Sequence, residues 1–201
     1  MNSDCQILVS SQMKNLDSLT SQILVVKSFD NFRARITACQ LQGTVWKPVL
    51  SPKSFPGVIG KSGVAQLGEK KEGDLKTPAG LYPLGEAFGS EPLAIKMDYR
   101  YITSDDKFID DVTSPQYNTW VNGRTDAKSF ESMLIDQYKM GVVINYNMNP
   151  IIAGSGSAIF IHLWSSSDTA TTGCIALDKR HLSALLQWLD KNQHPHIFIT
   201  G

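Results

Sequence analysis

A histidine and a cysteine that lie twelve positions apart are the residues of this chain best suited to covalent chemistry. His162 ends an apolar stretch typical of a strand, and Cys174 follows a loop of small polar residues that could fold back toward the imidazole. A free thiol has a pKa near 8.5, so only about 3% of it is thiolate at pH 7. A nearby imidazole can take the thiol proton, hold the ion pair and later protonate a leaving amine. The pair predicts a cysteine nucleophile with a histidine base.

The residues around Cys174 bear on the same chemistry. Gly173 has no side chain, so the chain can turn sharply before the thiol and substrate can approach it. Backbone N–H groups near Cys174 are candidate donors to an oxyanion. A structural interpretation stays open, because free cysteine is among the most buried residue types and a strand histidine is often a core residue. The histidine spacing matches no zinc-ligand pattern, so a zinc site is not predicted.

Two stretches of the chain resemble the motifs of the YkuD-type L,D-transpeptidases. T-T-G-C-I-A-L, preceded by I-F-I-H, resembles the active-site histidine strand and Ser/Thr-x-Gly-Cys turn of that family, with Thr171 at the Ser/Thr position. Residues 69–80, E-K-K-E-G-D-L-K-T-P-A-G, resemble the upstream G-D-x-x-T-P-x-G signature. The matches occur in the expected order, and the resemblance covers residues 58–189. The chain departs from the family pattern at Thr172, often His, and at Ile175, often Arg.

The resemblance implies a mechanism and a set of roles. Cys174 is expected to be the nucleophile and His162 the base, with Gly173 orienting the imidazole through its backbone carbonyl. The thiol would attack the peptide bond between a diamino acid and a D-amino acid in a peptidoglycan stem, and an amine would then resolve the thioester. No cofactor and no metal is expected, the partners are peptidoglycan stem peptides, and the expected location is the cell envelope or periplasm. The alternatives are an L,D-carboxypeptidase, in which water resolves the thioester, and a non-enzymatic cell-wall binding module.

Four further residues are candidates for contact with the substrate. Thr172 lies next to the Gly-Cys pair, and Trp164 shares the strand face of His162 by parity, where it could wall a cleft or simply pack. Tyr117 and Asn118 lie in turn-like sequence and could contact a peptide or serve the turn itself. The neighbouring carboxylates are predicted to lie in solvated turns: Asp105, Asp106, Asp110 and Asp111.

The elements that must position these residues are mostly strands. Short β-branched and apolar stretches between Gly, Asn and Pro predict strands at residues 22–27, 32–41, 44–50, 142–146 and 197–200. A Gly- and Pro-rich loop is predicted over 51–85, irregular structure over 86–122, and a helix over 124–140. A last helix is predicted after the N-cap Asp178, with one buried face formed by Leu182, Leu185, Leu186 and Leu189. The predicted class is mostly β, which the resemblance narrows to an L,D-transpeptidase-like β-sandwich or barrel with a few packed helices (α+β).

Composition narrows the classes of function. The 201 residues suffice for one domain, divided here into a polar N-terminal segment, 1–21, and a single catalytic domain, 22–201. Nineteen basic and nineteen acidic residues leave zero net charge, which argues against a nucleic-acid surface. No apolar run approaches the ~20 residues of an integral membrane segment, and residues 1–21 lack the regions of a signal peptide.

Cysteine usage leaves one question open. Three cysteines do not define a disulfide framework. A bond between Cys5 and Cys39 would leave Cys174 free, as catalysis requires, but nothing in the sequence places the two close together. No oligomeric state is predicted.

Overall fold

The structure, a computed structural model, describes residues 4–9, 13 and 16–201. Its strands are β1 (Gln22–Asp30), β2 (Arg33–Gln42), β3 (Val45–Pro48), β4 (Phe55–Val58), β5 (Val64–Ala65), β6 (Thr77–Pro78), β7 (Gly80–Gly89), β8 (Tyr99–Tyr101), β9 (Asp106–Ile109), β10 (Trp120–Asn122), β11 (Phe130–Ser132), β12 (Met140–Ile144), β13 (Phe160–Leu163), β14 (Ile175–Leu177) and β15 (His196–Thr200). The helices are α1 (Lys179–Trp188) and the 3₁₀ helices Asp4–Val9, Asp136–Tyr138 and Lys191–Gln193.

The largest sheet closes on itself. Its strand order is β1-β15-β7-β12-β13-β14-β4-β2, and β1 pairs with both β15 and β2, so these strands form a ring. The strands β3 and β8 extend it at β2 and β7, and β10-β9-β11 form a separate small sheet. Closure removes the unpaired edges that an open sheet presents. The predicted mostly β class is confirmed.

The helix α1 forms where its sequence predicts it. Asp178 caps it by accepting a hydrogen bond from the backbone N–H of His181 at 3.1 Å. The apolar face of α1 joins the main core against the barrel strands through Leu182, Leu185, Leu186 and Leu189. Each leucine is at most 1% exposed, and such burial stabilises the fold by roughly 1.5–3 kcal/mol per side chain.

A disulfide ties the N-terminal 3₁₀ helix to the barrel. Cys5 is bonded to Cys39 of β2, and both residues are fully buried. They share a small core with Leu8, Val25 and Phe198. The bond leaves Cys174 as the one free cysteine of the chain, which settles the pairing that the sequence left open.

The helix predicted over residues 124–140 is wrong. The segment contains β11, which pairs with β9, and a 3₁₀ turn over Asp136–Tyr138. The apolar residues that suggested a helical face are split, because Met133 is fully buried while Phe130 and Leu134 are exposed. Pairing with β9 satisfies the backbone here, so tertiary contacts override the helical period.

The segments predicted as loop and irregular structure, 51–85 and 86–122, contain seven strands, β4 to β10. The ten-residue β7 lies between β15 and β12 in the ring, although it carries a proline and three glycines. Its residues do not alternate between buried and exposed, since four of the last six are buried and the other two are half-buried. The period-two signal that identifies a half-buried strand is therefore missing from its sequence.

The prediction that the aspartates lie in solvated turns is wrong for Asp106 and Asp111, which are buried. Asp106 accepts hydrogen bonds from the Trp120 indole at 2.8 Å and from Thr103. Burial alone would raise its pKa, but these bonds outweigh burial and lower it. The Asp111 carboxylate accepts a hydrogen bond from the backbone N–H of Lys128 and so holds the loop that contains Lys128.

Candidate active site

Parallel pairing of β13 with β14 brings the predicted histidine and cysteine to the same end of the barrel wall. Ile161 lies opposite Ile175, and His162 lies opposite Ala176. Cys174 directly precedes β14, so the same register places it beside Phe160, two residues before the histidine. The loop between the strands makes this possible because a parallel pair needs a connection that returns the chain to its starting end.

The thiol of Cys174 is buried and held by backbone groups. It is 5% exposed, its Sγ–H donates to the Ala158 carbonyl at 3.2 Å, and the Phe160 N–H donates to Sγ at 3.3 Å. Burial raises the pKa of the Cys174 thiol well above its usual range, and the negative charge of Glu131 raises it further. The thiol is therefore neutral at pH 7 in this arrangement.

The imidazole of His162 is buried and neutral as well. Burial lowers its pKa to about 4. Its Nδ1 lies 2.8 Å from the carbonyl oxygen of Leu163, so Nδ1–H is the donor and Nε2 keeps a free lone pair. The ring of Tyr138 packs edge-on against it with centroids 5.1 Å apart. These contacts hold the tautomer that a general base needs.

His162 and Cys174 line one cleft of about 270 Å³. Trp164 and Thr172, two of the predicted substrate contacts, line the same cleft together with Tyr138. Across residues 16–201, however, Sγ hydrogen-bonds to Ala158 and Phe160 and makes no bond to the imidazole. Burial favours the neutral form of both groups over the ion pair that the sequence suggested.

The expected role of the Gly173 carbonyl is wrong. That carbonyl accepts a hydrogen bond from the Thr77 hydroxyl at 2.8 Å, and the Leu163 carbonyl orients the imidazole instead. Gly173 is nevertheless required by the backbone, since its φ is +153° and a Cβ would lie 3.1 Å from the Lys76 carbonyl oxygen.

Thr77 joins the two motifs and was given no role from the sequence. It is fully buried, donates to Gly173 and accepts a hydrogen bond from the Gly60 N–H at 2.9 Å. Thr171 stabilises the same turn by donating to the Cys174 carbonyl at 2.6 Å. The sequence did contain a signal for this role, namely the threonine of the T-P-x-G stretch. A hydroxyl in a buried motif needs hydrogen-bond partners, so this threonine could have been expected to bind a neighbouring segment.

Tyr117 and Asn118, the other two predicted substrate contacts, do not line the cleft that contains His162. Both are buried, at 3% and 2% exposure. The Tyr117 hydroxyl donates to Glu72 at 2.5 Å, and the Asn118 side chain donates to the Tyr146 and Asn147 carbonyls. Asn118 also accepts from the Ala158 N–H at 3.1 Å. Their polar groups hold the segment that leads into β13.

The other three histidines lie away from the thiol. His194 and His196 line a separate cleft with Asp17. His181 stacks on Phe55 with ring centroids 5.0 Å apart and pairs with Asp178.

A second cavity, of about 280 Å³, shares Cys174 and Thr172 with the His162 cleft and is also lined by Gly173. It is lined by the charged residues Lys70, Glu72, Asp110 and Glu131. Within residues 4–9, 13 and 16–201, no three His, Cys, Asp or Glu side chains converge to hold a metal ion. Over those same ranges no helix has the length and apolarity to cross a bilayer.

Comparison with known proteins identifies the family. Residues 38–197 match the YkuD family, described as the L,D-transpeptidase catalytic domain. No curated protein and no solved structure matches the chain. The match spans both motifs and most of the chain, and the barrel-like, strand-rich sheet is consistent with that fold. The chain belongs to the YkuD family of L,D-transpeptidase catalytic domains.

Proposed function

We propose that this protein is a cysteine-dependent L,D-transpeptidase that acts on peptidoglycan stem peptides. The observation that carries the proposal is that the free thiol of Cys174 and the Nε2 lone pair of His162 open on one cleft. The family match supports the reaction class, and the neutral state of both groups supports general-base catalysis without a standing ion pair.

In the first half-reaction the thiol leaves the Ala158 carbonyl by rotation about χ1 and faces His162. His162 Nε2 takes the thiol proton as Sγ bonds to the carbonyl carbon of the diamino acid. The Gly173 N–H is occupied by the Thr171 hydroxyl at 3.1 Å, which leaves the Cys174 N–H as the oxyanion donor beside the thiol. The C–N bond then breaks, the imidazolium gives its proton to the departing D-amino acid, and a thioester remains.

In the second half-reaction an acceptor amine attacks the thioester. Nε2 of His162 takes a proton from that amine, the C–S bond breaks, and the imidazolium returns the proton to Sγ. The product is a new amide and the free thiol, so atoms and charges balance. Trp164 and Thr172, which line this cleft, are proposed as contacts to the leaving and entering amines.

The buried Cys5–Cys39 disulfide supports a location in the cell envelope. Disulfides persist in oxidising compartments and are rare in reducing ones. Peptidoglycan lies on the oxidising side in bacteria, so the bond and the proposed substrate agree.

The test is intact-protein and product mass spectrometry after incubation with purified tetrapeptide muropeptides. An acyl adduct on Cys174 together with cross-linked or exchanged product supports transpeptidation. An adduct followed only by shortened tripeptide would show the carboxypeptidase alternative. Failure of any adduct to form in wild type, with binding of muropeptide retained, would favour the non-enzymatic module. Cys174→Ala is the control, since no thioester can form in it.

A further inference from the structure

The second cavity beside Cys174 carries an excess of negative charge. Glu72, Asp110 and Glu131 all line it. Burial raises the pKa of Glu131, and the charges of Asp110 and Glu72 raise it further, so the three carboxylates interact across the cavity. The cavity lining includes Cys174 and does not include His162.

The positive charge at this cavity is already paired. Lys70 is the cation that lines it among the described residues, and its ammonium lies 2.6 Å from Asp74 and 2.8 Å from the Lys71 carbonyl. Within the part of the chain that the structure describes, the donors to Glu72 and Glu131 are neutral hydroxyl groups. Glu72 Oε2 accepts from the hydroxyls of Tyr117 and Ser157, and Glu131 Oε2 accepts from Tyr138.

Asp110 is the least satisfied of the three carboxylates. Its Oδ1 is buried and has no hydrogen-bond partner among the described residues. A buried carboxylate oxygen without a donor is costly, and native structures retain one mainly where a ligand or water completes the site. An entering group with N–H donors and positive charge would satisfy it.

The two cavities that share Cys174 have different linings, because His162 lines only the first and the three carboxylates line only the second. His162 must protonate the leaving amine and later deprotonate the acceptor amine, so both amines occupy the His162 cleft in turn. The acyl residue stays bonded to Sγ throughout, and its side chain is left to the other cavity. In the proposed reaction that residue is a diamino acid, whose side chain ends in an ammonium group.

We propose that the carboxylate cavity is the specificity pocket for the acyl residue and binds its side-chain ammonium through Asp110, Glu131 and Glu72. The inference rests on the proposed function and deepens it. An ammonium group fits better than a metal ion, because the described carboxylates do not converge to coordinate one. A single ammonium carries three donors and can engage carboxylates that are spaced around a cavity.

The experiment compares two synthetic acyl donors that differ by one functional group. Both are tetrapeptides ending in D-alanine, with L-lysine as the third residue in one and L-norleucine in the other. We expect wild-type acylation of Cys174 to have a kcat/KM about 10- to 100-fold higher with the lysine peptide, as for loss of charged hydrogen bonds. In Asp110→Asn and Glu131→Gln the ratio should fall toward one, while the exposed control Asp105→Asn should keep it.

The outcomes separate this inference from the proposed function. Equal acylation by both peptides in wild type would overturn the pocket assignment and leave the transpeptidase proposal intact. Variants that slow only transfer to the acceptor amine, with an unchanged lysine/norleucine ratio, would overturn it too, by assigning the carboxylates to the acceptor. If neither peptide acylates, calorimetry on Cys174→Ala decides. Preferential binding of the lysine peptide there supports the pocket even though the reaction is refuted, and equal binding refutes both.

Discussion

Replacing Thr77 by valine should disturb the Cys174 turn from a distance. The substitution keeps the shape of the side chain and removes the hydroxyl that links Gly60 to Gly173. Both linked backbone groups belong to buried residues. Each group left without a partner costs about 1–3 kcal/mol, so we expect the free energy of unfolding to fall by about 2–6 kcal/mol. A Gly173 carbonyl no longer held would displace the adjacent Cys174, and a misplacement of about 1 Å can cost about 10²-fold in rate.

Two assays measure the two effects separately. Urea unfolding reports the loss of stability. Mass spectrometry of Cys174 acylation by a muropeptide, under conditions where every variant is folded, reports the loss of rate. Thr77→Ser retains the hydroxyl and should keep an acylation rate near wild type. Thr20→Val is the matched control, because Thr20 is also buried and its hydroxyl contacts His196, away from the thiol. It should lose stability without losing acylation rate. Wild-type acylation by Thr77→Val, or equal losses in Thr77→Ser and Thr77→Val, would refute the positioning argument.

Three further predictions concern the thiol, the imidazole and the disulfide. Cys174→Ala should form no acyl adduct and no product in the muropeptide assay while its unfolding curve stays close to wild type; measurable turnover would contradict the proposed nucleophile. His162→Ala should lower the acylation rate by about 10²–10⁴. In the folded protein the pKa of His162 is depressed to about 4, whereas the unfolded pKa is about 6.5. The stability linked to the neutral imidazole is therefore fully present above pH 6.5. As the pH falls toward 4, the free energy of unfolding should decrease by about 3 kcal/mol. Urea titrations of wild type and His162→Gln should diverge over that window, and parallel curves would show that the imidazole is not buried as a neutral group. Reduction of the disulfide, or the Cys5→Ala/Cys39→Ala double variant, should lower the free energy of unfolding by about 3–4 kcal/mol, from a sequence separation of 34, and an unchanged unfolding midpoint would contradict the pairing.

Local patterns in the sequence were enough to predict a feature where its chemistry or packing depends on neighbours in the chain. The capped helix α1 follows from Asp178 and the leucine spacing, because one helical face must be buried. The strands β1 and β2 follow from β-branched runs separated by a turn. The family resemblance likewise follows from two short motifs, since their residue order is a property of the chain.

Tertiary structure decided what those residues contact. The helix predicted over 124–140 fails because β11 pairs with β9, a partner that the local pattern cannot reveal. The protonation states of His162 and Cys174 depend on burial by distant elements, and burial favours two neutral groups over an ion pair. The hydrogen bond from Thr77 to Gly173 spans 96 positions of the chain.

The carboxylate cavity is also a product of tertiary structure that the sequence alone does not reveal. Glu72, Asp110 and Glu131 are far apart in sequence, and each taken alone is an ordinary surface-type residue. Barrel closure and the small β9 sheet bring them to one side of Cys174. Spacing along the chain determined that a thiol and an imidazole could meet across a strand and a loop. Only the fold, through burial and long-range hydrogen bonds, decided their charge, their orientation and the carboxylates beside the thiol.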